Sequence, residues 1–219
     1  MAADSPLVAR TVRTGGTLLA LAAAQFVAVL LWVQSHTAGF NPWSTGLATL
    51  GHVGTTWAIV LDASLVALGL LTAVGLLFSW SAFDPRPSRG LGLLVLLVGA
   101  IAASLSGAFL LLSSRLPAAA VPGAFAATVV AAGFGLLIIS SAMHQHGRWR
   151  VSATYTLVTG LVLLGGGALD YAHLRFGLGA GGLERVVLGA ALLWALVEGA
   201  HLALLHRFAP GLVVKVTAA

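Results

Sequence analysis

The chain has 219 residues, of which 59% are hydrophobic and only 8% charged, and its formal net charge is +5. Roughly 25% of the residues of an average soluble domain are charged, so this composition excludes a soluble globular fold. The 11 basic residues occur singly or in small groups at the ends of apolar runs, which argues against a nucleic-acid-binding surface, and the absence of cysteine excludes disulfides and thiol chemistry.

Six apolar runs follow one another along the chain, and each is long enough to cross a bilayer core of about 30 Å as a helix. They cover residues 14–35, 53–80, 91–113, 123–143, 152–172 and 185–206. Because no water reaches the hydrocarbon core, the backbone of each run must satisfy its own hydrogen bonds, which predicts a helix in every case. We therefore expect an all-α fold: one polytopic membrane domain over residues 1–219, built as a six-transmembrane-helix bundle.

The distribution of basic residues predicts the orientation of this bundle. One side carries eight of them and the other three, and the loops on the poorer side are 36–52, 114–122 and 173–184. The positive-inside rule then predicts that both termini lie in the cytoplasm. We expect the protein to reside in the cytoplasmic membrane. The first run continues into an aromatic loop, so we predict a retained helix rather than a cleaved signal peptide. Ten arginines against one lysine, together with many Ala, Gly, Leu and Val residues, indicate the coding bias of a high-GC bacterial genome.

A few polar residues fall inside the predicted spans. Asp62 lies in the second, while Glu198 and His201 share one face of the sixth at a spacing of three residues. An ionisable residue near the membrane centre costs about 2.5 to 3.5 kcal/mol on insertion scales, so each needs an explanation. Two interpretations stay open: a proton relay or ligand site, and hydrogen bonds that hold helices together.

A second group of polar residues lies on the predicted external face, and it is the best candidate pocket. Its members come from the first and third external loops: His36, Asn41, Ser44, His52, Asp170, His173, Arg175, Glu184 and Arg185. Asp170 and His173 are three residues apart and could bind a metal or activate water. Glu184, at the predicted start of the sixth helix, suits the positive end of the helix dipole. A solvated rim of helix ends would also have this composition.

Known membrane enzymes match these positions poorly. A haem bundle needs paired histidines deep in its helices, and the histidines here lie at helix ends. His201 and His206 are five residues apart, which does not suit the zinc site of an intramembrane hydrolase. Asp62 has no second aspartate of the kind an intramembrane aspartyl protease requires, and no inverted repeat supports a transporter. We therefore expect a non-catalytic protein without a cofactor or metal.

Two segments carry a resemblance to a known family. Phe40-Asn41-Pro42-Trp43-Ser44 and Gly181-Gly182-Leu183-Glu184-Arg185, the latter followed by Trp194, resemble the first external loop and the last helix of the bacterial and archaeal membrane family called domain of unknown function 998. The resemblance implies six helices and a hydrophilic external site. Ala48-Thr49 replaces the Ser-Asp of the family, which implies that part of that site is lost. Asn41, Ser44, Glu184 and Arg185 are then the retained site residues.

These observations predict an accessory, assembly or scaffold subunit of a membrane complex. Its expected partners are membrane lipids and other membrane protein subunits, with no nucleic acid. The alternative is a small-molecule or lipid-handling protein, either a transporter or an intramembrane hydrolase, that uses the external pocket with Asp170, His173 and Glu184.

Overall fold

The structure, a computed structural model, describes residues 6–47, 50, 56–82, 87–112, 120–144, 149–174 and 177–208. These residues form six long helices and no strand: α1 (Pro6–Ser35), α2 (Thr56–Phe78), α3 (Pro87–Leu111), α4 (Ala120–His144), α5 (Arg150–Tyr171) and α6 (Gly179–Phe208). A short 3-10 turn, Trp80–Ala82, follows α2. All six helices are long and apolar enough to cross a membrane, which confirms the prediction of an all-helical, multi-pass membrane protein.

Two helices begin well before the apolar runs that predicted them. α1 begins at Pro6, eight residues before the predicted start at 14, and α6 begins at Gly179, six residues before 185. Proline suits the first position of a helix because the N–H that it lacks would have no intrahelical partner there. Hydropathy marks only the part of a helix that lipid surrounds, so it misses such polar or glycine-rich first turns. Glu184 and Arg185 therefore lie inside α6, and not at its start.

The helices form a closed ring in chain order. Each packs against the preceding one in an antiparallel direction, and α6 returns to pack against α1. The C-terminal ends of α1, α3 and α5 and the N-terminal ends of α2, α4 and α6 lie at one end of the bundle, which we call the loop end. The opposite ends of the six helices lie at the other end of the bundle, which we call the terminal end.

Small residues let neighbouring helices approach closely, as expected in lipid, where apolar contact alone does not drive association. A Cβ on Gly199 of α6 would lie 2.7 Å from the backbone oxygen of Gly16 in α1, and a Cβ on Gly92 of α3 would lie 2.9 Å from the backbone nitrogen of Ile139 in α4. In the triplet 165–167, Gly166 faces Val187, whereas Gly165 has open space. Most of these glycines thus serve helix packing.

The outer surface of the ring is apolar, and polar groups inside it are mostly bonded to the backbone. Large exposed side chains include Ile59, Leu94 and Leu161. Inside, Gln25 of α1 donates one hydrogen bond to the carbonyl oxygen of Ser64 in α2, at 3.1 Å, and another within its own helix. Among the described residues, the interior thus contains few polar side-chain atoms without a hydrogen-bond partner.

Candidate functional site

A loop and the first turns of α6 form one structural unit at the loop end, which we call the cap: residues 40–47 together with residues 179–185. The backbone nitrogen of Gly182 donates to the carbonyl oxygen of Trp43 at 3.3 Å. Gly179 has a φ of +67°, and Trp43 approaches it so closely that a side chain would not fit. Gly181 faces Thr45 and Pro42 in the same way. Glycines at the start of α6 therefore let the loop rest directly on the helix backbone.

Glu184 and Arg185 bind the loop through its backbone. The Glu184 Oε2 atom accepts a hydrogen bond of 2.7 Å from the backbone nitrogen of Leu47. Arg185 Nη1 donates to the carbonyl oxygens of Pro42, of Thr45 at 3.0 Å and of Gly181 at 2.7 Å. The guanidinium also lies 5.1 Å from the ring centroid of Phe40, within range of a cation–π interaction.

These contacts revise the expected role of Glu184. α6 carries no acidic residue in its first turn, so the expected interaction of Glu184 with the positive end of the helix dipole is wrong. The helix begins earlier than the apolar run indicated, and the carboxylate instead accepts a hydrogen bond from a backbone N–H of the loop. Glu184 and Arg185 thus connect the first turns of α6 to the loop that follows α1.

The other loop residues also serve the conformation of the cap. Asn41 Oδ1 accepts a hydrogen bond of 2.9 Å from the backbone nitrogen of Trp43, and the Asn41 carbonyl accepts one of 2.9 Å from Thr45. An asparagine that bonds the backbone two residues ahead stabilises a turn. The Ser44 side chain is exposed, and Trp43 is 60% exposed. Asn41 thus shapes the loop, whereas Ser44 and Trp43 form its surface.

Asp170 and His173 lie at the C-terminal end of α5 and form a helix stop. His173 has a φ of +57°, its backbone nitrogen donates to Asp170 at 3.0 Å, and that of Leu174 donates to Leu169 at 2.9 Å. This pair of bonds is a Schellman motif with histidine at the left-handed position. Within the described part of the chain, neither side chain bonds to Glu184 or Arg185. The predicted pocket is therefore divided between the cap and this helix end.

Three further predictions about the loop end have separate outcomes. His52 and Arg175 lie outside the described residues. The His36 imidazole packs beside two indole rings at the ends of α1 and α2, 4.8 Å from Trp32 and 5.5 Å from Trp57 between centroids. Among residues that the structure describes, no group of three or more His, Cys, Asp or Glu side chains is placed to hold a metal ion.

Asp62 is buried in α2 towards the loop end. It is 2% exposed, and its Oδ1 atom has no hydrogen-bond partner in the part of the chain that the structure covers. A Cβ on Gly107 of α3 would lie 2.6 Å from the Asp62 carbonyl oxygen, so the two helices nearly touch at this level. Of the two interpretations left open for Asp62, hydrogen bonds between helices find no support at this Oδ1 atom among the described residues.

Glu198 and His201 lie together near the terminal end, and with Ser152 they form what we call the inner cluster. Glu198 Oε2 is 3.4 Å from His201 Nδ1, and that nitrogen is 3.1 Å from the Ser152 Oγ atom of α5. The imidazole packs on the indole of Trp149, with centroids 5.1 Å apart. Glu198 is 5% exposed, whereas the His201 side chain is 37% exposed. A buried carboxylate is thus linked to a half-exposed imidazole.

The structure does not bring Asp62 into this cluster. Glu198 lines a cavity together with Ser79, which lies just beyond the end of α2. Ser79 follows Asp62 by 17 residues, or about 25 Å along a helix axis at 1.5 Å per residue. The structure therefore excludes a single site formed by Asp62, Glu198 and His201. It also excludes a direct proton relay among these three residues.

The sequence interpretation missed the partners of Glu198. Ser152 lies near the start of α5, and Ser79 lies just beyond the end of α2. The antiparallel packing of α5 on α6 brings Ser152 near Glu198, and the ring closure brings Ser79 near it. The spacing of Glu198 and His201 indicated one face of one helix but not what that face contacts. Comparison with known proteins adds no partner or activity: no family model matches this chain, and no curated protein or solved structure matches it either.

Proposed function

We propose that this protein is a non-catalytic accessory or scaffold subunit of a larger membrane complex, and that the cap is the surface it presents to a partner subunit. On this proposal the protein resides in the cytoplasmic membrane with both termini in the cytoplasm. The cap then faces the outside. The proposal also includes kinship with the family of domain of unknown function 998, on the residues of the two cap segments.

The observation that carries this proposal is how Glu184 and Arg185 are used. Both side chains bond to the backbone of the loop, so they hold this surface in one conformation. A surface held in one conformation loses little entropy when a partner binds. Trp43 is 60% exposed on that surface, and tryptophan is among the residues that dominate binding energies in protein interfaces.

One cavity among the described residues bears on the alternative of a lipid-handling or small-molecule site. The cavity beside Glu198 has a volume of about 20 Å³. A water molecule needs roughly 10 to 15 Å³ by this measure, so the cavity holds about one water molecule and no lipid or metabolite. This cavity is therefore too small to be the binding site of a transporter or a lipid hydrolase.

Purification of the protein from its native membranes tests the proposal. We expect defined membrane protein subunits to copurify in fixed ratio, and Trp43→Ala to release them without changing the melting temperature. Leu94→Ala serves as the control, because it truncates a side chain with 52% exposure on α3. If the protein purifies alone and carries a bound lipid or small molecule, the accessory role is overturned. That outcome favours the alternative, a small-molecule or lipid-handling protein using Asp170, His173 and Glu184.

A further inference from the structure

A cavity lies inside the helix ring near the terminal end. Its volume is about 20 Å³, and α1, α2, α3, α4 and α6 all contribute to its wall. Most of the lining is apolar. Two residues that line it carry titratable or hydroxyl side chains: Glu198 and Ser79. Leu19, Leu76, Leu93, Ile139 and Met143 supply most of the remaining wall.

Ser79 is the first indication that this cavity is hydrated. The residue is 1% exposed, and its Oγ atom has no hydrogen-bond partner among the residues that the structure describes. A side chain on Gly15 of α1 would collide with this hydroxyl, so glycine there leaves the hydroxyl its space. A buried hydroxyl without a partner destabilises a fold, and one water molecule fits the volume beside it.

The position of Glu198 is the second indication that the cavity is hydrated. Glu198 lines the cavity and also contacts the partly exposed His201. Its carboxylate is almost fully buried, and the His201 imidazole, which contacts it at 3.4 Å, is 37% exposed. On α5, Ser152 bonds to the same imidazole nitrogen, and Tyr155 interacts electrostatically with Glu198. The cavity-lining residues of α1 to α4 carry no charged group. No cation on the cavity side compensates the carboxylate, so a proton is the simplest way to neutralise it.

We propose that the cavity is a binding site for one water molecule and one proton. The water bridges the Glu198 carboxyl group and the Ser79 hydroxyl. His201 connects the site to the aqueous phase at the terminal end: its imidazole accepts a proton on Nε2 and releases the one on Nδ1 to the carboxylate. The products are a neutral carboxylic acid and a neutral imidazole of the other tautomer. This site is independent of the cap and of the accessory role.

Infrared difference spectroscopy of the protein in lipid nanodiscs tests this site. Acidification of the wild type should produce the carbonyl band of a protonated, hydrogen-bonded carboxylic acid. Glu198→Gln should remove that band, and Ser79→Ala should shift its frequency, because the bridged hydrogen bond is lost. Asp62→Asn is the reference background for these comparisons, because the buried Asp62 carboxyl group can give a carbonyl band of its own, and the Glu198 band should remain in it. After a pH jump, His201→Ala should slow the appearance of the band by roughly 100-fold, the size of effect that a positioned proton donor provides.

A second measurement avoids variants that fail to fold. In the wild type, a hydrophobic carbodiimide, which reacts with protonated carboxyl groups in apolar surroundings, should modify Glu198 more at acidic than at alkaline pH, as read by mass spectrometry. A carbonyl band that persists when Glu198→Gln is combined with Asp62→Asn, or pH-independent modification of Glu198, overturns the proton site. An unshifted band in Ser79→Ala overturns the water bridge. An unchanged rate in His201→Ala overturns the route through the imidazole.

Discussion

Several polar residues of the cap were expected from the sequence to form a ligand site, but in the structure they stabilise the cap itself. Glu184 and Arg185 both bond to backbone groups of the loop at 40–47, and Asn41 stabilises a turn within it. Charged side chains that bond to backbone groups contribute more than neutral ones, because a charge-assisted hydrogen bond is roughly twice as strong. At this scale the polar residues hold the loop in place.

Replacement of Glu184 tests that conclusion. Glu184→Ala leaves the Leu47 N–H without its acceptor and should lower the free energy of unfolding by about 1.5 to 3 kcal/mol, the range for hydrogen bonds to charged groups. Glu184→Gln keeps an acceptor oxygen and should lose less. Unfolding of the purified protein in detergent measures both. A melting curve of Glu184→Ala identical to that of the wild type would show that the rim is merely solvated.

His173 offers a prediction in the opposite direction. Its left-handed conformation costs a residue with a Cβ about 1 kcal/mol, which glycine avoids. His173→Gly should therefore raise the free energy of unfolding by about that amount, whereas the control His173→Ala, which keeps the Cβ, should give no gain. Both are read from the same detergent unfolding assay. Destabilisation by His173→Gly would mean that the imidazole makes a contact worth more than the strain.

At the scale of elements, the spacing of the helices is set by glycines at their crossings. A Cβ on Gly199 would lie 2.6 Å from the backbone nitrogen of Ala20 in α1, and backbone cannot rotate away as a side chain can. By contrast, Gly189 on the same helix has nothing within 4 Å of its Cβ position. Two glycines of α6, ten residues apart, thus have opposite requirements.

This contrast predicts the effect of alanine at each position. Gly199→Ala should separate α1 from α6 and destabilise the protein by about 1 to 3 kcal/mol, the usual cost of overpacking. Gly189→Ala should be neutral or stabilise by up to about 1 kcal/mol, since alanine is the better helix former. Thermal unfolding in one detergent compares the two directly. Equal effects of the two changes would contradict the α1–α6 crossing described above.

Helix existence was predictable from the sequence, but helix ends and helix neighbours were not. Lipid permits only helices for long apolar runs, so the six spans followed from composition. The glycine-rich start of α6 has no hydropathy signal, and that is why Glu184 was expected in a first turn. Hydropathy also does not fix the depth of a residue in the bundle. Asp62 and Glu198 therefore could be grouped by sequence although they lie near opposite ends.

For the whole molecule, the orientation in the membrane rests on the distribution of basic residues. Ser44 lies exposed at the loop end, and Ser88 lies in the first turn of α3 at the terminal end. On the proposed orientation, the positive-inside rule predicts that the loop end faces the outside of the cell. The chain contains no cysteine, so single cysteine variants at these positions give an unambiguous readout.

Accessibility of those cysteines decides the topology. In intact cells an impermeant thiol reagent should label Ser44→Cys and should leave Ser88→Cys unmodified until the membrane is permeabilised. Labelling after permeabilisation is the control that both thiols are reactive. The reverse pattern would place the terminal end outside, and it would also move the aqueous access proposed for His201 to the other compartment.

The ring closure of α6 on α1 has a consequence for how the protein is made. α6 follows the other five helices in the chain, so the growing polypeptide inserts α1 long before its second neighbour exists. Until then, the crossing surface around Gly16 has no helix against it, and the 40–47 loop lacks Glu184 and Arg185. Insertion of α6 is therefore one late step that completes both ends of the seam, and a chain arrested before it should be the form that quality-control proteases recognise.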